Sequence, residues 1–297
     1  MRQKIDLKAA VASVADTVAA EISFSELVKA YSAVQFDGAD LRLRKWVEAF
    51  GHHSAWELTT EMLANAADAM LGHGYKPSSV NRDTSSIGTI YRWAARRRLC
   101  PKGFRSPTIG LERFEEGVRV VSITSEEIGA LLAGAHAFSD KRFAPYVRLL
   151  AETGCRKGEL LGRRWCDVDL ASGQILVETT KTGVPRVLFF SVETAELMKR
   201  VWPKRDADRL LFEGRIPGKA ISYRRQWAEL TTAVGRPDLH QHDLRHYRAA
   251  ELLKAGNTIA VASQVLGHSS LILQRRYGHL ETAHLRSAMQ ASWRSTA

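Results

Sequence analysis

Between Val168 and Phe190 the hydrophobic pattern of this chain shortens its period, while on both sides it runs at helical spacing. Gln174–Thr179 and Val187–Phe190 are short runs of branched and aromatic residues, joined by Thr180–Arg186 with Gly183 and Pro185 inside, which is the signature of a β-hairpin. Everything beyond Ser191 reads as helix again. The fold class this predicts is mainly α with a small antiparallel β-sheet.

The helical stretches fall into two groups. In the first, Trp56, Leu58, Met62, Leu63, Ala66 and Met70 recur at helical spacing. After a break at Gly72–Pro77, Ser78 or Ser79 is placed to cap a second helix carrying Val80, Ile87, Ile90, Tyr91, Trp93 and Ala94, which ends in Arg96, Arg97 and Arg98. Pro101, Gly103, Pro107 and Gly110 then mark Cys100–Gly110 as a linker. In the second group, Thr124 and Glu127 have capping-box spacing ahead of Ile128, Leu131 and Leu132, and a further helix with Phe143, Val147, Leu150 and Ala151 runs towards Gly154. The predicted organisation is a helical domain with its linker over residues 1–110 and a larger α+β domain over 111–297. No internal repeat is visible.

Composition narrows the partner more than the fold. A charged fraction of 25% beside 45% hydrophobic residues is ordinary for a globular protein, but the net charge of +11 points to a polyanion, most simply nucleic acid. Cys100, Cys155 and Cys166 lack metal-type spacing, and an odd count argues against a disulfide framework. The alanine-rich N-terminus is interrupted by Asp6, Lys8 and Asp16 and reads as a short amphipathic segment, not a secretion signal. No stretch reaches the roughly 18 apolar residues of a membrane span. The expected compartment is the cytoplasm, with no membrane partner.

Four places carry residues suited to chemistry. In His242-Asp243-Leu244-Arg245-His246, helical spacing puts His242, Arg245 and His246 on one face, while Ala249, Leu252 and Leu253 anchor the helix and Gly256 ends it. A guanidinium with two imidazoles suits an anionic ligand; a solvated basic face is the plain alternative. In Leu266-Gly267-His268-Ser269, Gly267 reads as a helix terminator that leaves His268 at the next helix start, and Tyr277 follows nine residues later. Arg156 stands at a turn leading into a helix, with Glu159 three residues on to brace it. Lys181 sits at the hairpin turn. His242 and His246 also have the spacing of a zinc helix, but the intervening glutamate is missing and Arg245 opposes a cation, so no metal or other cofactor is expected.

Each piece alone is ambiguous; the ordered set is not. Arg156 with Glu159, Lys181 in a hairpin, the His242–His246 word, Gly267-His268 and Tyr277 together resemble the tyrosine recombinase, or phage integrase, family. The surrounding ELLGRRWCDVDL, TKTG and RRYGHL agree, and the resemblance covers roughly Thr124 to Leu280. Val184-Pro185 departs from it, since relatives more often carry basic residues there. The resemblance implies an N-terminal helical core-binding domain and an α+β catalytic domain. It implies a site-specific recombinase that breaks and rejoins double-stranded DNA through a 3′-phosphotyrosine at Tyr277, without metal. Arg156, Arg245 and His268 would be phosphate donors, Lys181 the general acid, His242 the proton acceptor or orienting partner, and Glu159 a brace behind them. Arg92, Arg96, Arg97, Arg98, Arg224 and Arg225 are candidate DNA contacts. A tetramer on paired sites is implied, with apolar positions in His284–Trp293 available for exchange between neighbours, and accessory DNA-bending proteins are conceivable partners. DNA relaxation without exchange, or a silent DNA-binding protein on the same fold, are the competing outcomes.

Overall fold

The computed structural model describes residues 22–35, 38–117, 119, 121–178, 185–267 and 273–274, and the chain divides into two compact units after residue 119. Lys181, His268, Tyr277, the N-terminal amphipathic segment and His284–Trp293 lie outside the described residues.

The first unit holds α1 (Phe24–Gln35), α2 (Ala39–Arg42), α3 (Arg44–Phe50), α4 (Thr60–Gly72) and α5 (Pro77–Arg96). Thr59 caps α4 by accepting the Met62 amide at 3.2 Å, so Trp56 and Leu58 precede that helix although their spacing suits it. The start of α5 also differs from the sequence expectation. Neither Ser78 nor Ser79 is its cap: Pro77 occupies the first turn and Lys76 is the extended residue before it. Proline fits there because its φ is already helical and its missing N–H is one the first turn leaves unbonded. One face of α5 buries Val80, Asn81, Ile87, Ile90, Tyr91, Trp93 and Ala94 against Phe24, Leu27, Trp46 and Leu63. The buried Tyr91 hydroxyl donates to the Ala55 carbonyl at 2.7 Å.

The segment that reads as a linker is fastened to this unit. The Phe104 ring packs 5.2 Å from Trp56 and 5.5 Å from Tyr91. Beyond it, the buried Asn81 amide donates to the Phe114 carbonyl at 2.8 Å and to Glu116 at 2.7 Å, and accepts the Phe114 amide at 3.0 Å. The chain therefore stays with α5 as far as Glu116, past the Gly110 at which composition alone would end it.

The second unit contains α6 (Ser125–Gly134), α7 (Phe143–Thr153), α8 (Lys157–Leu161), strands β1 (Val168–Asp169), β2 (Gln174–Val177) and β3 (Arg186–Phe189), then α9 (Val192–Val201), α10 (Arg224–Ala233), α11 (Asp243–Lys254) and α12 (Ile259–Leu266). The capping box ahead of α6 is made in both directions: Thr124 accepts the Glu127 amide at 3.2 Å and Glu127 accepts the Thr124 amide at 2.8 Å. The three strands pair antiparallel in the order β1-β2-β3, with Ile175 opposite Leu188 and Val177 opposite Arg186. Ile175, Val177 and Leu188 enter the core and Leu176 and Phe189 face out, as alternation along a strand requires. Helix α7, almost wholly buried, packs on α6, α9, α11 and β3, which makes it the centre of the unit. The expected return to helix after Ser191 is interrupted, because residues 202–223 form a loop containing Pro203, Gly214, Pro217 and Gly218.

Candidate active site

The candidates Arg156, Glu159, His242 and Arg245 lie where α7, α8, α11, α12 and β3 end or begin. Helix α7 closes on Gly154 at φ +60°, a left-handed conformation, and a Cβ there would lie 2.6 Å from Leu266 Cδ2 and 3.0 Å from Arg248 Cγ. Only glycine meets both conditions. Its carbonyl accepts a hydrogen bond from Arg245 Nη1 at 2.8 Å. Arg245 comes from the first turn of α11 and is 1% exposed.

Two residues beyond Gly154, Arg156 is the extended residue that starts α8. Its backbone amide donates to Glu159 Oε2 at 2.9 Å and its Nη1 to Glu159 Oε1 at 2.8 Å, so one carboxylate caps the helix and orients the guanidinium. The other end of that guanidinium donates through Nη2 to the Gly267 carbonyl at 3.1 Å. Gly267, which ends α12 as the sequence suggests, is left-handed at φ +63°, and a Cβ there would stand 3.0 Å from Cδ and Nε of Arg186.

Arg186 was not among the sequence candidates. It opens β3, its Nη2 donates to Glu159 Oε2 at 2.7 Å, and its Nη1 donates to the Val265 carbonyl near the end of α12. Glu159 thus accepts from two guanidinium groups and one amide. Its side chain is 7% exposed, that of Arg186 8%, and that of Arg156 29%, so Arg156 is the member of this bridge that faces solvent.

Burial by itself would raise the Glu159 pKa, but the Arg156 amide and the Arg186 and Arg156 guanidinium groups outweigh it and hold the carboxyl below its ordinary value. Arg245 moves the opposite way for a cation: burial, then repulsion from Arg156 and Arg186, brings its pKa down to about 10. An anion entering beside these groups would relieve that repulsion. Burial also pushes the adjacent Cys155 thiol up to about 11, so it stays protonated and is no nucleophile at neutral pH.

His242 stands immediately before α11 and is exposed, whereas Arg245 is buried and His246 half-buried. The two imidazole rings meet nearly perpendicular, 5.0 Å between centroids. The buried carboxylate of Asp243 accepts the His240 amide at 2.7 Å, tightening the entry to the helix. Beside His242 an open groove is lined by Lys157, Tyr223, Arg224, Trp227 and His240. Arg224 is exposed on it, and Arg225 is exposed and paired with Glu229 at 2.7 Å. In the first unit Arg92, Arg96, Arg97 and Arg98 are all exposed; Arg92 donates to Thr89 at 2.8 Å and Arg97 lies 5.7 Å from the centre of the Trp93 ring. The structure therefore joins Arg156, Glu159 and Arg245 with Arg186, and sets His242 at the start of the helix that carries Arg245. Lys181, His268 and Tyr277 are outside the described residues, although Gly267 directly precedes His268 in the chain.

The model of the phage integrase family matches residues 122–284. Among curated proteins the chain is 35% identical over 141 residues to the tyrosine recombinase XerA of Saccharolobus solfataricus, covering 48% of this chain and 47% of that protein. It is 29% identical over 252 residues to the tyrosine recombinase XerC of Mycobacterium tuberculosis, covering 77% and 82%. Among solved structures it is similar to the Tn1549 transposon integrase in complex with a circular intermediate DNA, at a TM-score of 0.70 and 17% identity over 91% of this chain and 99% of that one. It is also similar to a lambda integrase tetramer bound to a Holliday junction, at 0.63 and 17% over 90% and 82%. At such identities the two structures speak for the fold: mostly helical, with one small antiparallel sheet.

Proposed function

The chain belongs to the phage integrase family, the tyrosine recombinases, and from that premise we propose that it cuts and rejoins double-stranded DNA through a 3′-phosphotyrosine at Tyr277, without a metal ion. The observation that carries this reading is the guanidinium cluster: Arg156, Arg186 and Arg245 around the one carboxylate of Glu159 leave an excess of positive charge with hydrogen-bond donors fixed in place. Phosphodiester exchange gathers negative charge on the non-bridging oxygens. Fixed cationic donors lower that barrier in the way a divalent ion otherwise does.

In the proposed reaction the Tyr277 oxygen attacks phosphorus, the bond to the 5′ oxygen breaks, and the bond energy is kept in the protein–DNA ester. Arg156 and Arg245 bind the non-bridging oxygens, with His268 as a further donor. The departing 5′ oxygen takes its proton from Lys181, and His242 accepts or orients the tyrosine proton. Attack of a 5′-hydroxyl on the ester reverses the step and joins a strand. Affinity comes from phosphate contacts by Arg92, Arg96, Arg97, Arg98, Arg224 and Arg225, all of which are exposed, and it falls as salt rises. A tetramer on two paired sites is the assembly we propose, with DNA-bending proteins as accessory factors where a site demands them.

The test is covalent trapping on a nicked suicide substrate drawn from DNA flanking the gene, with a chelator present. The expected result is an adduct that survives denaturation, ignores the chelator and is absent from Tyr277→Phe. An adduct that persists in Tyr277→Phe overturns the nucleophile. Absence of any adduct, with salt-sensitive binding intact, turns the reading towards a silent DNA-binding protein.

A further inference from the structure

We infer that Arg186 is a positioning residue for the phosphate site, acting on Arg156 through Glu159. The inference rests on the reaction proposed above. Arg186 joins three segments distant in sequence: it opens β3, it donates to Glu159 on α8, and it donates to the Val265 carbonyl of α12. Its stem fills the space left by the absent side chain of Gly267, whose carbonyl in turn receives Arg156 Nη2. The result is a closed circuit: Arg186 to Glu159, Glu159 to Arg156, Arg156 to Gly267, and Gly267 against Arg186.

The geometry gives Arg186 a different task from Arg156. With 8% of its side chain exposed and both terminal nitrogens donated to protein oxygens, Arg186 is turned inward, whereas Arg156 keeps 29% of its side chain accessible. Glu159 accepts Arg186 on Oε2 and the Arg156 guanidinium on Oε1, so the carboxylate is gripped from both sides and the plane of Arg156 is set. Without Arg186, Glu159 keeps the amide and guanidinium of Arg156 but loses the contact that ties the pair to β3 and, through Arg186, to α12. The same loss unfastens β3 from α12. Strand β3 and the end of α12 are thereby tied to Arg156.

A positioning role differs from a structural one in what it changes. In single-turnover trapping with protein in excess, lost fold lowers the amplitude of adduct and leaves the rate constant of the surviving fraction alone. Lost positioning lowers the rate constant at full amplitude. We expect Arg186→Met to slow cleavage about 100-fold, the order associated with a misplacement of about an ångström, at near wild-type amplitude and DNA affinity. Arg186→Lys retains the charge beside Glu159 but cannot fork to Val265, and is expected between the two; it serves as the readout where Arg186→Met folds poorly. Because the effect runs through Glu159, Arg186→Met combined with Glu159→Gln should be no slower than the slower single variant. A rate within about twofold of wild type, a loss confined to amplitude, or single effects that multiply would overturn the inference while wild-type adduct leaves the reaction standing. Absence of adduct from the wild type overturns both.

Discussion

The two units of this protein bury polarity in opposite ways. Among the described residues of the first unit, Asn81 is the buried polar side chain, a neutral amide that spends both its ends on Phe114 and Glu116; the other buried residues of the unit, Trp46, Tyr91 and Trp93 among them, are hydrophobic. The second unit buries the ionisable side chains of Glu159, Asp243 and Arg245, with Arg186 nearly as deep. Desolvating a charge is costly, so an ion survives inside only with partners in good geometry. The first unit uses its polar burial to hold chain. The second uses it to hold charge in a place where an anion can meet it.

That contrast can be broken most severely at Glu159. Glu159→Leu leaves Arg186 buried without its counter-ion and is expected to cost the second unit about 3–5 kcal/mol. Hydrogen exchange should show the loss as reduced protection in α8 and α12; unchanged protection there would mean that the carboxylate holds nothing together. The same residue sharpens the comparison through pH. Its folded pKa is lowered, so its contribution is present above the unfolded value near ~4.3 and is lost as pH falls through the lower folded one. Denaturation of wild type and Glu159→Gln at stepped pH should show a gap that persists at neutral pH and closes only in acid below that value.

The first unit should respond less. Asn81→Leu removes hydrogen bonds to a strand of chain that Phe104 still anchors, and a loss of about 1–3 kcal/mol is expected, with faster proteolysis near Phe114. Equal sensitivity of Asn81 and Glu159 would erase the distinction between the units. Smallest of all, Thr124→Ala breaks one side of the capping box of α6 and should lower stability by about 1 kcal/mol in urea denaturation, with adduct formation unchanged.

What could be read from the sequence was local. The Thr124–Glu127 box, the Arg156–Glu159 brace, the two short strands that pair antiparallel, and the helix stops at Gly256 and Gly267 all depend on residues close in sequence, and the structure contains each of them. Arg186 escaped because its partners lie 27 and 79 residues away and no spacing announces them. Its one visible signal was alternation: Arg186 falls on the inward face of β3 with Leu188, where a charge needs partners. The start of α5 was misplaced because two serines looked like caps where Pro77 had already fixed the first turn. The helical pattern assumed after Ser191 ignored Pro203 and the Gly214-Arg215-Ile216-Pro217-Gly218 run, both turn signals. Trp56 and Leu58 fitted a helix by period alone, and the cap at Thr59 excluded them. The family words located Lys181, His268 and Tyr277, which lie outside the described residues.

The carbonyls of Gly154 and Gly267 fasten Arg245 and Arg156 with dipoles. A carboxylate in either position would have held its arginine by neutralising it, and would have let go in acid. A peptide oxygen does not titrate, takes one N–H and leaves the cation its full charge. These two turns therefore act as insulated clamps: the share of the grip that they supply does not change with pH, whereas the share that Glu159 supplies to Arg156 is lost in acid.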